Sequence, residues 1–220
     1  MRERILFDLD GTLTDPKEGI TKSVQYALRR YGIEEEDLDR LIPFIGPPLR
    51  ESFERFYGFG EQQAREAVLV YREYFTDRGW RENRVIPGIP RLLERLKDQG
   101  FRLFVATSKP EVFARRILEH FGLTGFFEGI AGADLEESRC RKGDVIRYLL
   151  EREGLGGEGD AARACVMVGD REHDVLGARE NGMDCVGVLF GYGSREELEA
   201  AGARAVAATV EELEHILREI

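Results

Sequence analysis

The stretch Arg4-Ile5-Leu6-Phe7-Asp8-Leu9-Asp10-Gly11-Thr12-Leu13-Thr14-Asp15 opens the chain with a buried strand that ends in acid. Ile5 to Phe7 form a short apolar run bounded by turn residues, the pattern of a strand with both faces covered. The run delivers two carboxylates, Asp8 and Asp10, and their spacing on an extended backbone points both to one side. Gly11 follows at once. It frees the backbone to turn sharply and is expected to leave N–H groups open toward an anion. Two like charges at the end of a buried strand are costly unless something pairs with them. A bound cation resolves the conflict. An isolated Asp-Gly reads simply as a turn, but the whole string from Asp8 to Asp15 asks for more than that.

Beyond Pro16 the periodicity is helical. Ile20, Val24, Ala27, Leu28 and Tyr31 fall on one stripe, which Gly32 ends. A second helix is expected over 36–42, before Phe44-Ile45-Gly46-Pro47-Pro48-Leu49 breaks the pattern with a rigid loop. Leu49, Phe53 and Phe56 begin another stripe, and Ala64, Val68, Tyr71 and Phe75 a further one. Nothing from about 16 to 84 reads as a strand. This block is expected to be an all-α insert of the four-helix-bundle kind, with Phe53, Phe56, Tyr57, Phe59, Tyr71 and Phe75 as its own core. From Val85 onward, helices expected over 90–99, 111–121, 142–153, 175–181, 195–201 and 210–217 alternate with short apolar strands. Those strands are expected over 101–106, 129–132, 164–168, 185–188 and 205–206, and the run Gly154-Leu155-Gly156-Gly157-Glu158-Gly159 reads as a flexible surface loop. Such alternation predicts an α/β fold, a doubly wound parallel sheet whose ligands bind beyond the carboxyl ends of the strands. The expected domains are 1–15 with 85–220, and an insert at 16–84.

Composition narrows the partners. Apolar residues make up 42% of the 220, ample for a core, and charged residues 34%. The formal charge of −10 argues against a nucleic acid polymer or an anionic membrane as a general partner. An acidic protein that binds a phosphate ester must therefore build a local positive site. No positively charged leader precedes a long apolar segment, and no run approaches roughly 18 apolar residues, so no membrane association is expected. Cys140, Cys165 and Cys185 are odd in number and unrelated in spacing, which suits reduced residues in the cytoplasm.

Three later segments carry chemistry-bearing residues. The strand expected at 101–106 ends in Thr107-Ser108-Lys109-Pro110, where a hydroxyl can donate to a phosphoryl oxygen; a helix cap or turn explains a lone Thr-Ser equally well. Lys142 stands at a helix start, where a cation is unfavourable against the macrodipole, although a solvated surface lysine is the simpler account of it alone. The strand expected at 164–168 ends in Gly169-Asp170-Arg171-Glu172-His173-Asp174, a second pair of aspartates at a turn. Taken in order, Asp8 and Asp10, Thr107, Lys142, then Asp170 and Asp174 resemble the four motifs of the haloacid dehalogenase superfamily in its phosphatase form. The resemblance covers essentially the whole chain. Residues 169–178, followed by Gly187-Val188-Leu189-Phe190-Gly191-Tyr192-Gly193, are similar to the phosphoglycolate phosphatase-like group, particularly its 5′-nucleotidase-like members.

The resemblance implies a Rossmann-like core with an inserted all-helical cap, and Mg²⁺-dependent hydrolysis of a small phosphorylated metabolite. It implies that Asp8 attacks phosphorus and that Asp10 protonates the leaving oxygen, then takes a proton from water. Like charges at Asp8 and Asp170 would keep the Asp10 carboxyl protonated. Mg²⁺ would be held by the carboxylates of Asp8 and Asp170 and the main-chain carbonyl of Asp10, with Asp174 acting from behind them. Thr107, Ser108, Lys142 and the N–H groups near Asp10 and Gly11 would meet the phosphoryl oxygens. Lys109 is a rival for the role of Lys142. The Gly46–Arg50 loop is the expected substrate-reading part of the cap, with Arg50 facing a carboxylate or second phosphate; a surface arginine is the alternative. A β-phosphoglucomutase-like mutase would use the same acids, whereas a dehalogenase needs neither Asp10 nor metal. A receiver-type signalling module shares the aspartates, hydroxyl, lysine and Mg²⁺ but needs only about half this length and no helical insert. Monomer and homodimer both remain open.

Overall fold

In the computed structural model, which describes residues 3–136, 138–155 and 164–219, the first strand β1 (Arg4–Phe7) lies inside a six-stranded sheet. Parallel neighbours flank it, β4 (Arg102–Pro110) on one side and β6 (Cys165–Gly169) on the other. β5 (Gly129–Ala133) lies beyond β4, while β7 (Asp184–Val188) and β8 (Ala205–Ala207) follow β6, all parallel. Strands covered on both faces need continuous apolar runs rather than alternation. Ile5, Leu6, Phe7, Leu103 to Ala106 and Val166 to Val168 supply them, all essentially buried. The register sets Phe7 opposite Val105 and Val168. The residues that follow these three positions therefore arrive together at one edge of the sheet.

Helices α4 (Ile89–Asp98), α5 (Glu111–His120), α6 (Lys142–Arg152), α7 (Glu172–Glu180), α8 (Arg195–Ala201) and α9 (Val210–Glu219) complete the core unit. Val145, Ile146, Leu149, Val175 and Ala178 from α6 and α7 share one cluster with Leu6, Phe104 and Met167 from the sheet. Two elements depart from the expected spans. β4 continues past residue 106 to Pro110, with a register irregularity between Thr107 and Pro110, so the Thr107-Ser108-Lys109 segment is strand rather than turn. A proline at the very end of a strand removes no interior ladder bond. α7 begins at Glu172, three residues before the apolar stripe. Part of the expected 154–159 loop, from 156 onward, lies outside the described residues.

The chain divides into two compact units, Met1–Thr14 with Val85–Ile220, and Asp15–Arg84. β2 (Thr14–Asp15) and β3 (Arg84–Val85) form a two-stranded sheet at the two crossings. The second unit holds α1 (Lys17–Arg29), α2 (Leu49–Tyr57), α3 (Glu61–Tyr74), a 3-10 helix at Leu38–Phe44 and a π-helical turn at Phe75–Gly79. The helix expected over 36–42 is thus a 3-10 helix: Pro43 inside it removes an amide donor and prevents a longer ladder. Phe53, Phe59, Tyr71 and Phe75 are buried as expected, with the Phe53 and Phe59 rings stacked at 5.7 Å. Phe56 lies only at the margin of that core, its ring 5.5 Å from that of buried Phe44. It is 42% exposed, and the Arg55 guanidinium lies over its ring. Among the described residues no helix is long and apolar enough to cross a membrane.

Within this helical unit α1 approaches the π-helical turn at Gly19, where an added Cβ would stand 1.9 Å from the Gly79 carbonyl oxygen. Glycine to alanine in a helix ordinarily gains about 1 kcal/mol. Here the sign reverses: Gly19→Ala is expected to cost about 1–3 kcal/mol through overpacking. Urea denaturation followed by Trp80, the sole tryptophan and buried in this unit, measures it. A stabilised variant would mean that the two segments move apart freely.

Candidate active site

Four aspartates and two lysines meet where β1, β4 and β6 end. Asp8 and Asp10 follow β1, Asp170 follows β6, and Asp174 lies in the first turn of α7. Lys109 comes from the end of β4, and Lys142 is the first residue of α6. All six are buried, none more than 8% exposed. Lys142 Nζ donates to Asp8 Oδ1 at 2.7 Å and to the Ala106 carbonyl at 3.0 Å. It also lies 2.8 Å from Asp174 Oδ1, an ion-pair contact without the alignment of a hydrogen bond. The other oxygen of Asp174 accepts from the Arg171 N–H at 3.1 Å, so this residue both steadies the start of α7 and faces Lys142. Gly169 makes room for that fold-back, because a Cβ there would lie 2.2 Å from the Asp174 carboxyl carbon.

Lys109 serves a different acid. Its Nζ donates to Asp10 Oδ2 at 2.7 Å, while Asp10 Oδ1 is buried without a hydrogen-bond partner. The two lysines that the sequence sets against each other therefore hold different aspartates. Thr107, 1% exposed, accepts the Lys109 N–H on its hydroxyl oxygen at 3.3 Å. Asp170 takes the Tyr192 N–H on Oδ2 at 2.8 Å and the Thr12 hydroxyl on Oδ1 at 3.4 Å. One carboxylate oxygen each from Asp8, Asp170 and Asp174 lie within 4.8 Å of one another.

Burial raises the Asp10 carboxyl above its ordinary range against the pull of Lys109, and raises Asp170 much further, with Asp174 and Asp8 adding repulsion. Asp174 is likewise raised by burial against the pull of Lys142. Burial disfavours the charge on Lys142, but Asp174 and Asp8 outweigh it and hold the ammonium above its ordinary value. Four acids against two ammonium groups leave an excess of negative charge that must be met by protons or by a cation. The donor set at Asp8, Asp170 and Asp174 is all oxygen, the preference of a hard divalent ion. The residues fit such an ion.

Three expected contacts need correction or restriction. The Gly11 N–H is not open toward an anion; it donates to the Thr14 carbonyl at 2.7 Å, closing the turn. The glycine is needed there for another reason. Its φ is +82° and a Cβ would lie 2.2 Å from Asp170 Oδ2. Ser108 is only half-buried and, among the hydrogen bonds described above, takes no part. Arg50 belongs to the helical unit, in the first turn of α2, with Nη1 3.8 Å from Glu61 Oε1. Sequence reasoning missed the Tyr192 amide as a partner of Asp170; its one signal was the pair of glycines around it.

The sheet order and this cluster define a phosphate-handling hydrolase of the haloacid dehalogenase type. The chain belongs to that family: the haloacid dehalogenase-like hydrolase model matches residues 5–188. It is 54% identical to a 5′-nucleotidase of Pseudomonas aeruginosa, over 97% of this chain and 94% of that protein. It is 43% identical to the tyrosine-protein kinase PtkA of Mycobacterium tuberculosis, over 97% of this chain and 72% of that one. A phosphoglycolate phosphatase of Agrobacterium fabrum is 32% identical over 85% of this chain and 80% of its own. The crystal structure of a predicted phosphatase from Clostridium acetobutylicum matches with a TM-score of 0.96 at 47% identity, covering 100% of both chains. The chain is accordingly a phosphoric monoester hydrolase.

The raised acids bear on stability. A carboxyl whose folded value lies above its unfolded one contributes stability that is present below the ordinary carboxylate range and lost as pH rises through the folded value. In chelator, the thermal midpoint is therefore expected to fall as pH rises from about 5 to 8, and Asp170→Asn to flatten that slope. Thermal scans at fixed ionic strength measure both. An undiminished slope in the variant would remove Asp170 as its source.

Proposed function

We propose that this protein is a cytoplasmic, Mg²⁺-dependent phosphatase that hydrolyses small phosphate monoesters through a phosphate covalently carried on Asp8, with nucleoside 5′-monophosphates the first candidates and phosphoglycolate the second. The carrying observation is the buried Asp8 carboxylate, held by Lys142 within reach of Asp170 and Asp174. The choice of substrates is supported by the names of the relatives at 54% and 32% identity.

Asp8 attacks phosphorus and the bond from phosphorus to the leaving oxygen breaks. Asp10 hands its proton to that oxygen, a role suited to a carboxyl kept above its ordinary range by burial. Water then attacks the phosphorus on Asp8, Asp10 takes the proton, and inorganic phosphate leaves with Asp8 restored. Splitting hydrolysis this way replaces one difficult displacement by two easier ones. Lys142 and Thr107 meet the phosphoryl oxygens, and Lys109 fixes Asp10 in its rotamer while adding positive charge nearby. Asp8, Asp170 and the main-chain carbonyl of Asp10 would hold Mg²⁺, with Asp174 keeping Lys142 in place. When bound, the ion supplies charge neutralisation and orientation of the phosphoryl group. The helical unit would serve as the part that reads the leaving group, with Arg50 as its candidate contact.

The test is phosphate release from a panel of monoesters, with Mg²⁺ and with chelator, and Asp8→Asn as the blank. Release is expected to require Mg²⁺, to centre on nucleoside monophosphates, and to drop at least about 10³-fold in Asp8→Asn, as loss of a nucleophile does. Substantial turnover by a folded Asp8→Asn protein would sink the mechanism. Sugar phosphates isomerised without net release would indicate a mutase, and label retained on a protein tyrosine would indicate the chemistry named in the 43% relative. Arg50→Ala is expected to shift the ranking of substrates by about tenfold while sparing a small generic ester. Equal losses on all esters would remove Arg50 from recognition.

A further inference from the structure

The segment between β7 and α8 packs against Asp170 at several points. Tyr192 gives its amide to Asp170 Oδ2 at 2.8 Å. A Cβ on Gly191 would lie 2.4 Å from the Asp170 Cβ, and one on Gly193 would lie 1.9 Å from the Asp170 carbonyl oxygen. Both side chain and backbone of Asp170 are thus in close contact with this segment. Ser194 then caps α8, its hydroxyl accepting from the Glu197 N–H at 3.1 Å, which sets Glu197 in the first turn of the helix. Glu197 reaches back with a single oxygen. Its Oε1 accepts from Arg171 Nε at 2.8 Å and from the Glu172 N–H at 2.9 Å. Arg171 and Glu172 directly follow Asp170 and open α7, whose first turn carries Asp174.

We propose that residues 191–197 form a clasp on the Gly169–Asp174 turn, and that Glu197 is a positioning residue which sets the affinity of the acidic cluster for its divalent ion. The proposal rests on the metal-dependent reading above. A carboxylate ligand binds well only when its orientation is fixed before the ion arrives, and partners behind the ligands fix it. Asp170 is the acid most in need of this help, since like charges at Asp174 and Asp8 repel it and the two hydrogen bonds it accepts come from neutral groups. Glu197 touches neither the cluster nor any reacting atom. It acts by gathering a charged guanidinium and an amide that would otherwise be an orphan donor at the start of α7. Were Glu197 only a surface ion-pair partner of Arg171, its loss would cost a little stability and leave ion binding unchanged.

Calorimetric titration of Mg²⁺ into the full-length protein tests this, comparing wild type with Glu197→Ala, Glu197→Gln and Glu199→Ala. Glu199 pairs with Arg195 on the same helix at 3.3 Å and serves as the control for a lost charge on α8. Glu197→Ala is expected to weaken Mg²⁺ binding about tenfold, the size seen when partners behind metal ligands are removed. Glu197→Gln, which keeps an acceptor oxygen but not the charge, is expected to lose only about threefold, and Glu199→Ala nothing. In turnover, the Mg²⁺ concentration for half-maximal rate should rise in Glu197→Ala by the same factor, while KM for substrate at saturating Mg²⁺ stays at the wild-type value. Wild-type affinity in Glu197→Ala, or an equal loss in Glu199→Ala, overturns the proposal. If Glu197→Ala does not fold, wild-type affinity in Glu197→Gln overturns it instead. A wild-type protein that takes up no Mg²⁺ overturns the metal-dependent reading and this proposal with it, which separates the two failures.

Discussion

Burying four carboxylates at the end of one sheet is the constraint on which the rest of this core depends. Each would be strongly disfavoured alone, and two lysines offset only part of the charge. The lysines are divided unequally. Lys142 bridges Asp8 and Asp174, Lys109 serves Asp10, and Asp170 takes hydrogen bonds from a hydroxyl and a backbone amide. The remaining imbalance therefore falls on Asp170, whose carboxyl is pushed furthest up. A divalent ion among Asp8, Asp170 and Asp174 would remove the imbalance where it is largest.

Such crowding also dictates where the chain can carry side chains. Gly11 and Gly191 approach the Asp170 side chain, Gly193 its carbonyl, and Gly169 the Asp174 carboxyl, each within a distance that leaves no space for a methyl group. The turns after β1, β6 and β7 are thereby pressed against the acids, excluding water from groups that would otherwise be hydrated. In that setting an electrostatic contact is worth several times its value in solvent. An all-oxygen donor set this closely packed suits a small, hard, doubly charged ion.

Much of this was legible in the sequence. Continuous apolar runs at Ile5–Phe7, Leu103–Ala106 and Val166–Val168 point to parallel strands, and the paired acids after the first and third ask for more than a turn or a helix cap. What sequence could not supply was the pairing. Nothing in the spacing of Lys109 and Lys142 tells which acid each will reach, because that depends on how the end of β4 and the start of α6 converge on the end of β1. The Gly11 amide escapes the sequence for a related reason: a glycine that lets the backbone turn is expected to open its N–H toward an anion, while this turn closes on the Thr14 carbonyl. The helical unit resisted for a different cause. Pro43 turns an apparent helix into a 3-10 segment, and Phe56, though on the apolar stripe and against Phe44, is left 42% exposed beneath Arg55.

The asymmetry at Asp10 ties charge balance to chemistry. Lys109 holds Oδ2 and leaves Oδ1 buried and unpartnered, so the two oxygens of one carboxyl stand in unlike environments. A proton on this residue belongs on Oδ1, since Oδ2 faces an ammonium that can only donate. Burial favours the proton's presence, Lys109 dictates its place, and among the described residues Oδ1 has no hydrogen-bond partner to compete for it. This is the oxygen from which the proposed mechanism has the proton leave and to which it has the proton return. Asp8, two residues earlier, meets the other lysine, whose Nζ donates to its Oδ1 at 2.7 Å. One strand end thus presents two aspartates in unlike surroundings, and the difference is made by which lysine reaches which oxygen.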